Sequence, residues 1–184
     1  RLANAGYRSV LTPATTLYLD MAATRDPDEA GVNWAAYAGL DTVFNFVPFD
    51  PLRSKPWLPA AAPGKAAYTA LGRQQIAGIQ ATAFSETLRG EQRLQHMLLP
   101  RLLALAERAW AADPAWAQEA DTAKAQALHN AAWSRFVSQA SLQVLPRLER
   151  DLPAMAWRIA PPGLLRDGAQ VLEAAFRIGG LDVV

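Results

Sequence analysis

Two short stretches of this sequence place an aromatic ring and a carboxylate two residues apart: Tyr18-Leu19-Asp20 and Phe84-Ser85-Glu86. In an extended strand that separation puts both side chains on one face. An aromatic ring can cover the apolar face of a sugar. A carboxylate can accept hydrogen bonds from two neighbouring hydroxyls, and charged acceptors make the stronger bonds. Trp34, on the loop after the first pair, can add an indole wall. Were both strands parallel members of one barrel, both pairs would emerge at the same mouth, where the active sites of βα barrels sit. The residues alone leave a plainer alternative open. Tyr18 can be a core tyrosine with a satisfied hydroxyl, and Asp20 or Glu86 can cap a helix N-terminus.

Other chemistry is poorly provided for. The chain has no cysteine, so it has neither a disulfide framework nor a thiolate site. Its two histidines, His96 and His129, fall in helix-like segments and are expected at the surface; no metal site and no cofactor is expected. Glu107-Arg108 reads as a structural pair or a solvated face, and Trp110, Trp116, Trp133 and Trp157 as packing residues. A formal net charge of +1 gives no electrostatic case for nucleic acid or an anionic membrane. The apolar stretches fall short of the roughly 20 residues that span a bilayer.

The elements that must position the two pairs follow from local pattern. Residues 7–13 predict a short strand stopped by Pro13, and Thr15 to Met21 a second extended stretch with Leu17, Leu19 and Met21 on one face. Residues 22–33 predict a polar loop, and Trp34 to Leu40 a helical turn. Five prolines between Phe44 and Pro63 predict irregular chain. A short helix over Ala67–Gln75 precedes a strand over Ile76–Ser85. Leu94, Leu98, Leu102, Leu105 and Ala109 form a helical stripe, bent at Pro100. A second long helix is expected over Ala123–Leu148, with Leu128, Ala132, Phe136 and Val137 on one side. Trp157 to Gly163 reads as a linker, and Val171 to Ile178 with Gly179-Gly180 as β-structure with a turn. This order predicts an α/β unit over 1–158 and the start of an all-β module over 159–184. Two strands do not make a stable sheet alone in water, so the remaining strands of the sheet are expected elsewhere. The first residue is Arg1, no signal-peptide leader precedes it, and the last residues read as an unfinished strand; both ends are expected to be cuts through a longer protein.

Beyond these patterns, the sequence resembles family 20 glycoside hydrolases, specifically bacterial chitobiase-like β-N-acetylhexosaminidases. The likeness runs from Asn4-Ala5-Gly6-Tyr7 through Leu17-Tyr18-Leu19-Asp20, Asp26-Pro27-Asp28-Glu29 and Trp34. It is strongest over Ile79 to Thr87 and over Pro100-Arg101-Leu102-Leu103-Ala104-Leu105-Ala106-Glu107-Arg108-Ala109-Trp110. Trp157 to Gly163 looks like the family's junction with a C-terminal β-sandwich.

The resemblance implies the C-terminal portion of a (β/α)8 TIM barrel, about its last two βα units, helix-rich and followed by the start of that sandwich. It implies removal of terminal, non-reducing β-linked N-acetylglucosamine or N-acetylgalactosamine, from glycans or chitooligosaccharides, without a cofactor. In such enzymes the substrate's own acetamide oxygen attacks the anomeric carbon. Position by position, Tyr18 matches the tyrosine that donates to that oxygen and Asp20 a residue on the O4 and O6 side of the sugar. Trp34 matches a wall of the acetamide pocket. Glu86 matches the carboxylate that grips the 4- and 6-hydroxyls. Phe84 stands where the family usually has tryptophan beneath the sugar, which keeps an apolar platform with less area and no indole N–H. The only Asp-Glu pair is Asp28-Glu29, in a loop and outside a Gly-Gly-Asp-Glu context. The general acid and the orienting aspartate are therefore expected outside this chain, which should supply sugar-binding residues only and be inactive by itself. The rest of the barrel is the implied partner, and a periplasmic or secreted location is the family's habit. The rival reading is a non-catalytic carbohydrate-binding or interaction module that kept part of a site.

Overall fold

The computed structural model describes residues 2–50, 68–151, 159–167, 170–178 and 181–183. Its organising feature is a parallel pairing of two distant segments. Strand β1 (Ser9–Leu11) lies beside β2 (Ile76–Ile79), with Val10 opposite Gly78 and Leu11 opposite Ile79, and a register shift between Ser9 and Val10. The pairing resumes further along as a parallel bridge between Tyr18 and Thr82. The segments carrying the two aromatic–acid pairs are thus neighbours running in one direction.

Between these two contacts the first segment departs from the expected extended course. Pro13 carbonyl accepts from Thr16 and Leu17 amides at 3.1 and 2.8 Å, closing a helical turn α1 (Ala14–Leu17). The chain is extended again at Tyr18. Leu17, Leu19 and Met21 are fully buried as expected, but Asp20, expected with Tyr18 on the opposite face, is buried too, because the chain turns at Leu19–Asp20, with Met21 N on Tyr18 O at 3.2 Å. The predicted turn over Trp34–Leu40 is displaced. Helix α2 is Leu40–Phe44, because Gly39 is extended and the Ala38 amide bonds back to the Ala22 carbonyl at 2.9 Å. Of the proline-rich stretch, residues 51–63 lie outside the described residues. The short helix α3 (Ala70–Gln74) is capped by Thr69, whose hydroxyl accepts from Gly72 N at 3.0 Å.

Pro100 breaks the next helix rather than bending it. Leu99 before it is extended, a conformation the proline ring favours, so α4 (Gly90–Leu98) and α5 (Arg101–Trp110) are separate. The buried face is also not the predicted leucine stripe. It is Met97, Arg101, Ala104 and Arg108, whereas Leu94 and Ala109 are exposed and Leu98, Leu102 and Leu105 only half-buried. After the short α6 (Ala115–Gln118), α7 (Thr122–Gln139) starts at Asp121, whose carboxylate caps Lys124 N at 2.9 Å. The predicted single helix to Leu148 is interrupted by a π-turn over Ala140–Val144 before α8 (Leu145–Asp151). Two residues account for it. Pro146 cannot donate to the carbonyl four residues back, and Ser141 Oγ takes up the Val137 carbonyl at 2.8 Å.

Leu17, Leu19, Leu40, Val43, Phe44, Phe46, Ala104, Phe136, Ala140 and Leu145 form one buried cluster that fastens α2, α5 and α7 against the strand segment. Each such aliphatic or aromatic side chain contributes about 1.5–3 kcal/mol on burial. On α7, Leu128 is exposed while Ala125, His129 and Phe136 are buried, so the face is rotated from the predicted one. Beyond it, β3 (Ile159–Asp167), β4 (Gln170–Ile178) and β5 (Leu181–Val183) pair as an antiparallel meander. Residues 159–163, expected as a linker, belong to β3; Trp157 lies outside the described residues. Helix-rich α/β is the class observed. No helix among the described residues is long and apolar enough to cross a membrane.

Candidate functional site

The parallel bridge fixes Tyr18. Leu19 N donates to Thr82 O at 2.7 Å and Thr82 N to Leu17 O at 3.0 Å. With Leu17 and Leu19 committed to the core, the intervening Tyr18 is left only half-buried. Two residues past Thr82, Phe84 brings its ring to 5.3 Å from that of Tyr18, tilted by 59°.

Trp34 arrives by a different route. The loop after Asp20 doubles back: Val32 N donates to Asp20 O at 3.0 Å and Ala22 N to Val32 O at 2.7 Å. Gly31 makes the close return feasible. Its φ is +108°, and a Cβ there would stand 2.6 Å from Asp20 O and 2.7 Å from Ala22 N. The indole then meets Tyr18 edge-on, centroids 6.1 Å apart at 79°. Three predicted residues therefore converge, with Tyr18 in the middle. The outer two remain open to solvent, Trp34 at 69% and Phe84 at 47% exposure, as an apolar platform for a ligand requires.

The two carboxylates differ. Asp20 is only 3% exposed, and its Oδ1 has no hydrogen-bond partner among the described residues. A buried acceptor left so costs about 1–3 kcal/mol. Glu86 is exposed in the turn after Phe84. Neither joins the aromatic cluster through a hydrogen bond among the described residues. The helix-capping alternative does not hold for either: α2 and α4 start at Gly39 and Arg89, without a side-chain cap.

Three buried side chains were not anticipated. Arg101 is fully buried, Nε donating to Met97 O at 2.9 Å, Nη1 to Met21 O and Ala38 O at 3.0 and 2.8 Å, and Nη2 to Leu19 O at 2.6 Å and to Met97 O. Arg108, expected on a solvated face or in a simple pair, is buried over the Phe44 ring at 4.9 Å and bonded to Glu107 at 3.2 Å. Burial lowers the Arg108 pKa, against the pull of Glu107 and Asp113. His129, expected at the surface, is buried, with Nε2 2.6 Å from Asn45 Oδ1 and its ring edge-on to Trp116 at 5.3 Å. Burial pushes its pKa down, and the Arg108 charge adds to that. His96 is half-buried. Trp116 and Trp133 pack as expected, but Trp110 is 91% exposed. The signal for Arg101 and Arg108 was present: seven residues apart, they sit on one helical stripe with Met97 and Ala104.

A separate cavity of about 300 Å³ is lined by Val47, Asp50, Arg73, Asp113, Ala117 and Gln118. Burial raises the Asp113 pKa there, opposed by Arg73. It shares no residue with the aromatic cluster.

Comparison with known proteins bears on which arrangement matters. Residues 1–113 match the model of the glycosyl hydrolase family 20 catalytic domain. A β-hexosaminidase of Vibrio vulnificus is 36% identical over 110 residues, covering 59% of this chain and 13% of that protein. β-Hexosaminidase B of Pseudoalteromonas piscicida is 35% identical over 158 residues, 75% of this chain and 20% of that one. Among solved structures, the Vibrio harveyi GH20 exo-β-N-acetylglucosaminidase in complex with N-acetylglucosamine aligns with a TM-score of 0.47 at 32% identity, covering 70% of this chain and 18% of its own. The chain thus spans no more than 20% of the length of these relatives. The match over residues 1–113 takes in Tyr18, Asp20, Trp34, Phe84 and Glu86 together with the helix that carries both buried arginines, and on it the chain belongs to glycosyl hydrolase family 20.

Proposed function

We propose that the whole protein is an exo-β-N-acetylhexosaminidase that removes terminal, non-reducing N-acetylglucosamine or N-acetylgalactosamine from β-linked glycans or chitooligosaccharides. The observation that carries this is the convergence of Trp34 and Phe84 on Tyr18 at the ends of two parallel segments, in a family 20 chain. In this reading residues 1–158 are the C-terminal part of a (β/α)8 barrel, about its last two βα units, and 159–184 open a C-terminal β domain. Tyr18 donates to the acetamide oxygen and holds it in line with the anomeric carbon, where orientation is worth most. Trp34 walls the acetamide, and Phe84 underlies the ring. Asp20 and Glu86 accept from the hydroxyls on the 4 and 6 side; the unsatisfied Oδ1 of Asp20 supports such a role.

Catalysis is then substrate-assisted and retaining. The acetamide oxygen displaces the leaving group, which a glutamic acid protonates, and water opens the resulting ring-closed intermediate on the same face. The 184 residues contain no Asp-Glu pair in a Gly-Gly-Asp-Glu setting, so the acid and the orienting aspartate belong to other parts of the protein. The test is release of 4-nitrophenol from its β-N-acetylglucosaminide. The full-length protein should release it and the isolated 184 residues should not. Binding of the sugar without release by the full-length protein would favour a carbohydrate-binding module instead.

A further inference from the structure

We infer that Arg101 is the positioning residue of the sugar site: one buried guanidinium sets where Tyr18, Asp20 and Trp34 stand. The inference rests on the proposed sugar-binding role of those residues. The hydrogen bonds of Arg101 at the site go to backbone carbonyls. It acts on the backbone around those residues.

Three carbonyls of the strand end and the loop accept from it, those of Leu19, Met21 and Ala38. Leu19 lies between Tyr18 and Asp20, Met21 follows Asp20, and Ala38 closes the loop that bears Trp34. The same guanidinium also bonds to the Met97 carbonyl, at the end of α4. A planar fork with five donors in fixed directions can hold several acceptors at once in one geometry. It therefore refers the strand end and the far leg of the loop, already joined by the Ala38 amide on Ala22 O, to α5. Backbone bonds already join the loop to the strand end, from Val32 N to Asp20 O, from Ala22 N to Val32 O and from Ala38 N to Ala22 O; what Arg101 adds is the tie of that joined unit to α5.

The arrangement separates position from contact. A charge buried at this depth is costly unless its bonds are satisfied, and packing alone is served by an apolar residue at that site. A guanidinium directed at carbonyls on either side of Asp20 fixes the backbone from which the site's residues project. Displacement of a reacting group by about 1 Å can cost roughly a hundredfold in rate. Loss of the fork should therefore appear in turnover while the fold survives.

The experiment compares wild-type, R101K and R101Q full-length protein on 4-nitrophenyl β-N-acetylglucosaminide, well below each variant's melting temperature. Lysine keeps the charge but is a compact point donor that cannot reproduce the fork. Folded R101K should lose at least about tenfold in kcat, with a smaller change in KM, and R101Q should lose more. A folded R101K with kcat and KM within about twofold of wild type would overturn the inference. Should neither variant fold, hydrogen exchange on the wild-type protein decides. The Ala22, Val32 and Ala38 amides should exchange as slowly as those of α5; exchange at the rate of an exposed loop overturns the assignment. If the wild-type protein does not hydrolyse the substrate, the proposed function fails, whereas slow exchange of those amides would still support the tie.

Discussion

The rim of this protein and the helical layer behind it use the same kinds of side chain to opposite ends. In the layer, Phe44 meets Trp133, Phe136 and His129 ring to ring, and Phe44 itself has no exposed surface. At the rim, Tyr18 meets Trp34 and Phe84 at comparable distances, yet the outer two rings stay largely in solvent. Ring-to-ring geometry does not distinguish the two. What does is whether the cluster closes on itself. The layer is completed by its own neighbours, including the Arg108 guanidinium over Phe44. The rim leaves the Trp34 and Phe84 rings open to solvent, and beside them Asp20 Oδ1 has no hydrogen-bond partner among the described residues.

The sharpest break of this contrast is Phe44→Ala. It should cost about 3–5 kcal/mol of stability, read by urea unfolding, because a filled site becomes a cavity. A small loss would mean that the layer is as open as the rim. Next, Glu86→Gln removes a charged acceptor worth about 1.5–3 kcal/mol, so kcat/KM of the full-length protein should fall about 10- to 100-fold. The melting temperature should hardly move, since Glu86 is exposed; an unchanged kcat/KM would remove Glu86 from the site. Phe84→Trp works in the other direction. The larger platform should tighten N-acetylglucosamine binding by about two- to fivefold, measured calorimetrically.

The smallest effect belongs to His129. Burial disfavours its charged form, so in acid the unfolded chain binds the proton more readily. Stability should therefore be full above an unfolded pKa of about 6.5 and decline as the pH falls through it towards the lower folded value. His129→Gln should flatten that part of the stability curve, and an unaltered slope would locate the titrating group elsewhere.

What could be read in advance divides along a physical line. The apolar residue types announced the burial of Leu17, Leu19 and Met21, but the alternation failed at Asp20, which the turn after Tyr18 carries inside. The parallel pairing of 9–20 with 76–82 followed from the family resemblance; the shared aromatic–acid pattern by itself left it a condition. The helical faces were not legible. A leucine stripe was the natural expectation for residues 94–109, and the buried face proved to be the one bearing Arg101 and Arg108. Hydrophobicity counts arginine as outward-facing, and only the location of distant carbonyls and of the Phe44 ring reveals that it points in. His129 misled for the same reason, its partner Asn45 lying 84 positions away. The turn at Ala14–Leu17 and the π-turn at Ala140–Val144 depend on prolines whose presence was plain but whose local remedy was not.

The doubling back of the chain at Val32 has a practical consequence. The legs of the bight are sewn together at Asp20, Ala22 and Val32, and the tip meets the tryptophan-bearing leg through the Arg25 guanidinium, 5.6 Å from the Tyr37 ring centroid. Thr24 to Asp28 is exposed and organised by its own short contacts, Asp28 N to Asp26 Oδ1 at 3.0 Å and Thr24 Oγ1 to Glu29 Oε2 at 3.2 Å. A dye or an affinity tag grafted at Asp26 to Asp28, clear of Arg25, would turn the bight into a reporter mounted beside the proposed sugar site.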